Sequence, residues 1–424
     1  MTDAKFLQIH TLTSYPATLL NRDDAGFAKR LPFGGATRTR VSSQCLKYHW
    51  RHFKGEHSLY EELDVERSIR SRQTLLKKIV DPLLAQGYPA SLTHGMTLTF
   101  KGLLLSDKKP TKTKYKNLLD PGDDDPREEL KTGQITIFGE PEINYLKRLA
   151  RETMDDLRDE LGHLWDNPEA TPSSDDFDVA YDKFKSISKG DLKKNLTGMK
   201  LATGLDAALF GRMATSDILA RGDSALHVAH SFTTHEQASE SDYFAAIDEL
   251  TAEAGEMGSG HINSNELTSG LFYSYVVVDI PQLISNIEGC PRHKWRDEDP
   301  TLAAEVVERF VHLAATVTPG AKLGSTAPYA YAEMVLVEAG NAQPRTLANA
   351  FRKPVKEEPD VLENSFQALG GYISDLDGMY GHTNQRRLSA RGPVQGLVDA
   401  VGVTSTTPVS ESANWAADKL RGQQ

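Results

Sequence analysis

The sequence predicts an α+β protein with a ferredoxin-like core carrying large insertions. Three observations lead there. Short β-branched and apolar segments recur near both ends of the chain, at residues 6–13, 272–280 and 331–337. Helical patterns stand between them. The composition also changes near Leu201, from charged helix-forming stretches to small residues and glycine. A chain of 424 residues is long enough for two or three structural units.

The elements follow in order. FLQIHTLT at 6–13 reads as a buried strand. A turn-rich loop with Asn21-Arg22-Asp23-Asp24 leads to Phe33-Gly34-Gly35, and TRTRV from Thr37 alternates as a strand does. The run SSQCLKYHWR from Ser42 starts a helix with serine at its N-cap. Ser58-Leu59-Tyr60-Glu61 has the capping-box pattern and predicts a long amphipathic helix through Ile69, Leu75, Leu76 and Ile79, ending near Pro82. Residues 101–135 read as a loop or insertion, with a lysine cluster, Pro121-Gly122 and three aspartates; a helix follows near 141–165. Residues 236–268 are polar and glycine-rich around the patch Tyr243-Phe244-Ala245-Ala246-Ile247. FYSYVVVDI at 272–280 is a strand. Asp299-Pro300 opens a helix with Leu302, Val306, Phe310 and Leu313 on one face, and a last strand lies near 331–337.

Composition sets the function classes. Hydrophobic residues at 39% and charged residues at 25% describe a soluble globular chain, with no apolar run of membrane-spanning length. Two cysteines imply no disulfide framework, which fits a cytoplasmic protein without membrane attachment. The net charge of −11 speaks against general affinity for nucleic acid. The distribution speaks differently. Between Asp24 and Glu56 there is no acidic residue, while Lys29, Arg30, Arg38, Arg40, Lys47, Arg51 and Lys54 lie in that window.

Within that window Gly34 and Gly35 allow close backbone approach to a ligand. Arg38 and Arg40, two apart on a strand, share a face. Ser42, Ser43 and Gln44 add neutral donors at a helix start, and Lys47 and Arg51 lie one helical turn apart. The pattern suits a surface that grips phosphates; the lesser alternative is a solvated basic strand edge. Met213, in Gly-Arg-Met-Ala-Thr-Ser, reads as core filler or as a wedge against an unstacked base. Phe244 and Ile247 form either a hydrophobic anchor or a wedge. His227, His230 and His235 lack an accompanying cysteine pair and read as structural rather than metal-binding. No recognisable pattern of a hydrolase, a nucleotide-binding loop or a metalloprotease occurs.

Taken in order, NRDD (21–24), FGG (33–35), RVSSQxLK (40–47), GRMATS (211–216), AHxxTTH (229–235), SGLFY (269–273), PGAK (319–322) and LANAF (347–351) give the chain a family likeness. It resembles the CasC-type backbone subunits of the type I-E CRISPR Cascade complex. The resemblance implies an RRM-like palm, a helical fingers insertion and a protruding thumb: palm at 1–52, 200–235 and 268–424, fingers at 53–199, thumb at 236–267. It implies copies stacked head to tail in a helical filament along a crRNA, each thumb kinking the guide so that the bases between kinks can pair with a target DNA strand. The other implied partners are a large subunit, a small subunit, a subunit capping the crRNA 5′ end and a crRNA-processing endonuclease. Carried onto this sequence, Arg22, Arg38, Arg40, Ser42, Gln44, Lys47 and Arg51 match the crRNA-holding palm, and Lys322 in PGAK is a further phosphate contact. Met213 matches the residue beside the kinked base, and Phe244 and Ile247 match the thumb. No cofactor, metal or catalytic residue is implied. The lysines at 108–116 exceed the family's usual form and read as an extra DNA-binding patch or a flexible charged loop, and residues beyond about 355 match poorly. The rival reading is a metal-dependent ribonuclease of a type III-like effector, with Asp23 or Asp24 as its loop aspartate.

Overall fold

The computed structural model describes residues 4–106, 108–119, 125–197, 199–212, 222–247 and 259–422. Its strands are β1 (Phe6–Thr18), β2 (Arg30–Phe33), β3 (Ala36–Val41), β4 (Ile69–Ser71), β5 (Thr136–Phe138), β6 (Leu226–Val228), β7 (Ser231–Thr233), β8 (Ala238–Ile247), β9 (Ser259–Asp279), β10 (Ala332–Gly340) and β11 (Gln385–Ala390). The principal helices are α1 (Ser43–His52), α2 (Ala90–Ser106), α3 (Lys112–Leu119), α4 (Glu140–Asp155), α5 (Ser174–Lys185), α6 (Thr301–Thr316), α7 (Val361–Tyr380) and α8 (Val409–Arg421). The chain folds as a mixed α+β protein in two compact units: residues 1–63, 226–280 and 300–424 form one, and 64–225 with 281–299 form the other. Among the described residues no helix is long and apolar enough to cross a membrane.

The first unit is built on an antiparallel sheet in the order β11-β10-β1-β9-β7-β3-β2, with β6 and β8 also paired to β9. β1 lies between β9 and β10 along its length, Leu12 facing Tyr273 on one side and Met334 on the other. Alternation then sorts the side chains. Leu12, Tyr273, Met334 and Leu336 join Phe351, Phe366, Leu369 and Ile373 in a core covered by α7 and its neighbours. Residues of the opposite parity, such as Leu7, Ile9, Val335 and Val337, are equally buried, and α6 and α8 pack there. Both faces are therefore closed. The C-terminal part, which matched poorly as sequence, supplies β11 and covering helices for both faces.

β6, β7 and β8 run in succession along one edge of β9, pairing Val276–Val278, Phe272–Tyr273 and Ser259–Ser269 in turn. They amount to one interrupted strand antiparallel to β9. The last β1 pairing is Thr18 with Thr268. Among the described residues, β9 beyond that point pairs with β8 alone, as a two-stranded ribbon. The described parts of the segment expected as a thumb, 236–247 and 259–267, thus continue two sheet strands.

The glycines of Phe33-Gly34-Gly35-Ala36 serve the fold. Both have positive φ (63° and 83°) and close the two-residue β2–β3 hairpin. A Cβ at Gly34 would fall 1.5 Å from the Arg352 carbonyl oxygen. This close approach is to the protein's own backbone.

The second unit is mainly helical, with a core of Met96, Phe100, Tyr115, Ile143, Leu146, Phe177 and Phe184 and the small β4–β5 sheet. The stretch 53–212 differs from expectation in three places. The predicted long helix from Ser58 does not form. The Ser58 Oγ accepts N–H bonds from Tyr60 and Glu61 in a turn, and the Glu61 carboxylate takes the Gly55 N–H instead; Ile69 lies in β4. The supposed loop at 101–135 contains the end of α2, all of α3 and the short helix Pro126–Leu130. Residues 200–212, expected in the palm, belong to this helical unit, locked there by the buried ion pair of Arg212 with Glu142 (2.7 Å). The lysine cluster is largely engaged within the same unit. Lys112 pairs with Asp178 (2.6 Å), Lys114 with Glu129 (2.6 Å), and Lys109 reaches the Lys185 carbonyl.

Candidate nucleic-acid interface

Three segments of the first unit meet around the N-terminal half of α1. The helix forms where the sequence places it: the Ser42 Oγ accepts the Cys45 N–H (3.2 Å) as N-cap. Leu46 and Trp50 turn inward, and Trp50 meets Phe310 of α6 edge-on at 5.0 Å. That anchor fixes which side of α1 remains outside. Asn21 ties the preceding loop to the cap by accepting the Ser42 N–H (2.9 Å), and Arg40 N–H donates to the Lys29 carbonyl (2.7 Å). From the other side, the Ser43 N–H donates to His230 Nδ1 (3.0 Å). The third segment, after α6, docks through Gly320 N–H on His49 Nε2 (3.3 Å) and Ala321 N–H on the Leu19 carbonyl (3.0 Å).

These contacts bring most of the expected cations to one neighbourhood. Arg22 is exposed beside the cap, in a bridge with Ala28. Arg40 is half-buried and lines a cavity of ≈ 320 Å³ with Lys29, Arg30, Phe27, Ala28 and Asp23. Its Nε is buried without a hydrogen-bond partner. Gln44 is exposed in the first turn of α1, and Lys47 and Arg51 are half-buried further along it. Lys322 donates to Asn265 Oδ1 on β9, joining the PGAK loop to the base of the ribbon.

Arg38 departs from expectation. It shares its strand face with Arg40 but is fully buried. Its guanidinium donates to the carbonyls of Thr233 (2.9 Å), Thr234 (2.8 Å) and Phe351 (2.9 Å). The Arg38 side chain is closed over by the segment around 351, whereas Arg40 stays half-buried. Arg38 is therefore a cross-link between distant chain segments rather than a surface cation. Ser42 is likewise buried, its oxygen serving the helix cap. Met213 lies outside the described residues. Phe244 and Ile247 lie on β8, opposite Asn263 and Ser259, with a bulge between Ala246 and Ile247.

Two contributors escaped the list of expected site residues, Lys29 and His230. Lys29 stood in the acid-free window, but nothing local separated it from its neighbours; its placement depends on pairing with Arg40. Burial, and then the positive charges of Arg40 and Lys29, push the His230 imidazole down from its usual value. Arg30, by contrast, is neutralised by Glu266 of β9, which also accepts the Ala28 N–H (2.7 Å). Among the described residues no ion pair joins Lys29 or Arg40 to a carboxylate. Unpaired guanidinium and ammonium groups beside a helix N-terminus form a seat for phosphate oxygens.

The other candidates resolve as structural. His235 is buried, its Nδ1–H on the Glu236 carbonyl (2.7 Å) and its Nε2 accepting the Leu271 N–H (3.1 Å). No three His, Cys, Asp or Glu side chains form a metal-holding group among the described residues. Asp23 Oδ1 accepts the N–H groups of Ala25 (3.0 Å) and Phe27 (2.9 Å), shaping the loop. A larger cavity, ≈ 780 Å³, opens beside Arg345, Arg386 and Asp377. There both arginines are already held by carboxylates: Arg345 by Glu338 (2.6 Å), Arg386 by Glu338 (2.7 Å) and Asp377 (2.6 Å).

Comparison with solved structures gives a likeness over nearly the whole chain. A chain of a "CRISPR RNA-guided surveillance complex, pre-nicking" is 25% identical, with a TM-score of 0.69, covering 97% of this chain and 100% of its own. A chain of a "CRISPR RNA-guided surveillance complex" shares the fold at 21% identity and a TM-score of 0.61, covering 97% and 99%. No curated protein matches. The profile of the CT1975-like proteins matches residues 7–411, and the chain accordingly belongs to the CT1975-like protein family.

Proposed function

We propose that this chain is a crRNA-binding backbone subunit of a CRISPR Cascade-type surveillance complex, of the CasC kind found in type I-E systems. The observation that carries the reading is the end-to-end likeness, on both chains, to a component of an RNA-guided surveillance complex. The sheet supports an RRM-like palm: β10-β1-β9-β7 places the strands in the 4-1-3-2 order of a βαββαβ core, with α6 as the second crossover helix. Because both sheet faces are covered, the guide is held at the edge, where Lys29, Arg40, Lys47, Arg51 and the first turn of α1 meet its phosphates, with Arg22, Gln44 and Lys322 flanking. The β8–β9 ribbon acts as the thumb, and Phe244, Ile247 and Met213 separate bases at each kink. Contacts to phosphate make binding indifferent to guide sequence, which is read by pairing with target DNA. Further copies stack head to tail, and the remaining Cascade subunits complete a cytoplasmic complex.

The subunit itself is not an enzyme in this reading. The engagement of the Asp23 carboxylate by backbone N–H groups supports that over a metal-dependent ribonuclease. The test is binding of two unrelated single-stranded RNAs of equal length across a salt series. Equal affinities and a steep salt dependence, weakened by Lys47→Ala, are expected; strong sequence preference, or no response to Lys47→Ala, overturns the reading.

A further inference from the structure

The segment between α6 and β10 carries a feature the palm does not use. Tyr329 and Tyr331 are among the most exposed large side chains in the described residues, each 73% accessible. Exposed tyrosines on a wandering loop would mean little, but this loop is fixed. The buried Thr318 Oγ1 accepts the Ala330 N–H (3.2 Å) and donates to the Ala330 carbonyl (3.3 Å), clamping that residue from both sides. Pro328 is buried, its ring facing Gly320, where a Cβ would come within 3.2 Å of it. Pro328 and Ala330 thus turn inward, and the two rings between and beyond them are held outward together.

Their surroundings select a partner. Gly320, beneath Pro328, is the residue docked on His49 of α1, so the tyrosine loop is tied to one flank of the helix whose other flank carries Lys47 and Arg51. From Val317 to Ala332 the loop has no acidic residue, and α1 has none either. Paired, rigidly presented aromatic rings offer faces on which the bases of a single-stranded nucleic acid stack; the loop's own charge is Lys322, and the next carboxylate along the chain, Glu333, is held by Arg391. A protein partner seated on two tyrosines gains nothing from the missing acids.

We infer that Tyr329 and Tyr331 form a base-stacking platform for the same single-stranded RNA whose phosphates meet α1. This rests on the proposed function and deepens it. The phosphate contacts set where the strand runs, and the platform holds its bases in an extended, stacked order.

The experiment uses the full-length chain and fluorescent single-stranded RNA in two forms, one ordinary and one with several bases removed. Tyr329→Ala/Tyr331→Ala is compared with Tyr329→Phe/Tyr331→Phe and with Lys47→Ala, each checked for unchanged circular dichroism. Stacking predicts that the double alanine variant binds ordinary RNA at least tenfold more weakly, keeps the wild-type salt slope and distinguishes ordinary from base-depleted RNA less than wild type does. The double phenylalanine variant keeps wild-type affinity. If the alanine variant binds normally while Lys47→Ala is weakened, the platform is refuted and the palm stands. If both bind as wild type does, both fall. Loss of self-association with RNA affinity intact assigns the rings to a protein contact and overturns the proposal.

Discussion

Two arginine-bearing clusters in the same compact unit show how one side chain serves opposite ends. Around Glu338 the charges close on themselves. The His10 Nδ1 accepts the Tyr273 hydroxyl (2.9 Å), which itself accepts the Leu347 N–H (3.0 Å), so the Nε2–H of His10 faces Glu338 (3.2 Å). Burial favours a neutral Glu338, but the hydrogen bonds from His10 and Arg345 and the charge of Arg345 win and hold its carboxyl well below the usual range. Among the described residues no ion pair joins Arg40 or Lys29 to a carboxylate, and His230 is pushed toward neutrality by burial and then by the cations beside it. The first arrangement stabilises the fold and has nothing left for a ligand. The second leaves charge unsatisfied at a helix N-terminus, which costs some stability and attracts an anion.

The largest expected effect comes from breaking the closed cluster. Glu338→Ala leaves Arg345 without its carboxylate, Arg386 with the Asp377 carboxylate alone and His10 without its acceptor, and should lower the unfolding free energy by about 3–5 kcal/mol, read from a shifted urea midpoint; a change within 1 kcal/mol would mean the cluster is not a stability element. Arg38 comes next. Arg38→Ala removes the donor shared by the Thr233, Thr234 and Phe351 carbonyls, of which Thr234 keeps the Val355 N–H (3.0 Å), and should cost about 2–3 kcal/mol while leaving the salt slope of RNA binding as in wild type. If that slope falls instead, Arg38 reaches the ligand and the division drawn here fails.

Acid supplies a third, smaller lever. Burial lowers the folded-state pKa of His10 below its ordinary value, so below about 6.5 the unfolded chain binds the extra proton and the folded one resists it. Stability should therefore fall as pH drops through that region, by up to about 1.4 kcal/mol per pH unit for one such histidine. His49, His94, His235 and His312, lowered mainly by burial, act in the same direction. His10→Gln should flatten the slope of urea stability against pH, and an unchanged slope removes His10 from the account. Glu338 adds a separate loss below its unfolded value of about 4.3. The smallest effect belongs to the open cluster. Arg40→Ala should leave stability within about 0.5 kcal/mol, reduce RNA affinity roughly fivefold, and lower the salt slope by about 0.7; a large loss of stability would show that Arg40 is structural like Arg38.

Where the sequence was legible, local physics decided the outcome. The three strands of the sheet centre declared themselves by composition and alternation, and α1 by its Ser42 cap. The errors share a cause, which is that partners far along the chain settled the matter. Arg38 and Arg40 look alike in TRTRV; a cover supplied by Phe351, 313 residues away, separates them. The Ser58–Glu61 box is sound chemistry used for a turn, because Ile69 finds a strand partner in Phe138. The stretch 101–135 seemed a loop because lysines, a Pro-Gly and aspartates dominate it. The useful signal was Tyr115 and Leu118, three apart and both buried on the inner side of α3. Lys29 needed the β3 register to become visible. The fold class and the cations carried by α1 could thus be read in advance, but which arginine of TRTRV is buried could not.

The central claim is that this chain holds a guide strand. Its most direct test is to express the chain with its neighbouring subunits and a CRISPR array, purify the assembly, and size the nucleic acid it carries. The account predicts single-stranded RNA of one uniform short length, cut by a probing nuclease at regular intervals along the bound strand. An assembly that purifies free of RNA, or with RNA of random lengths and no periodic protection, would contradict it.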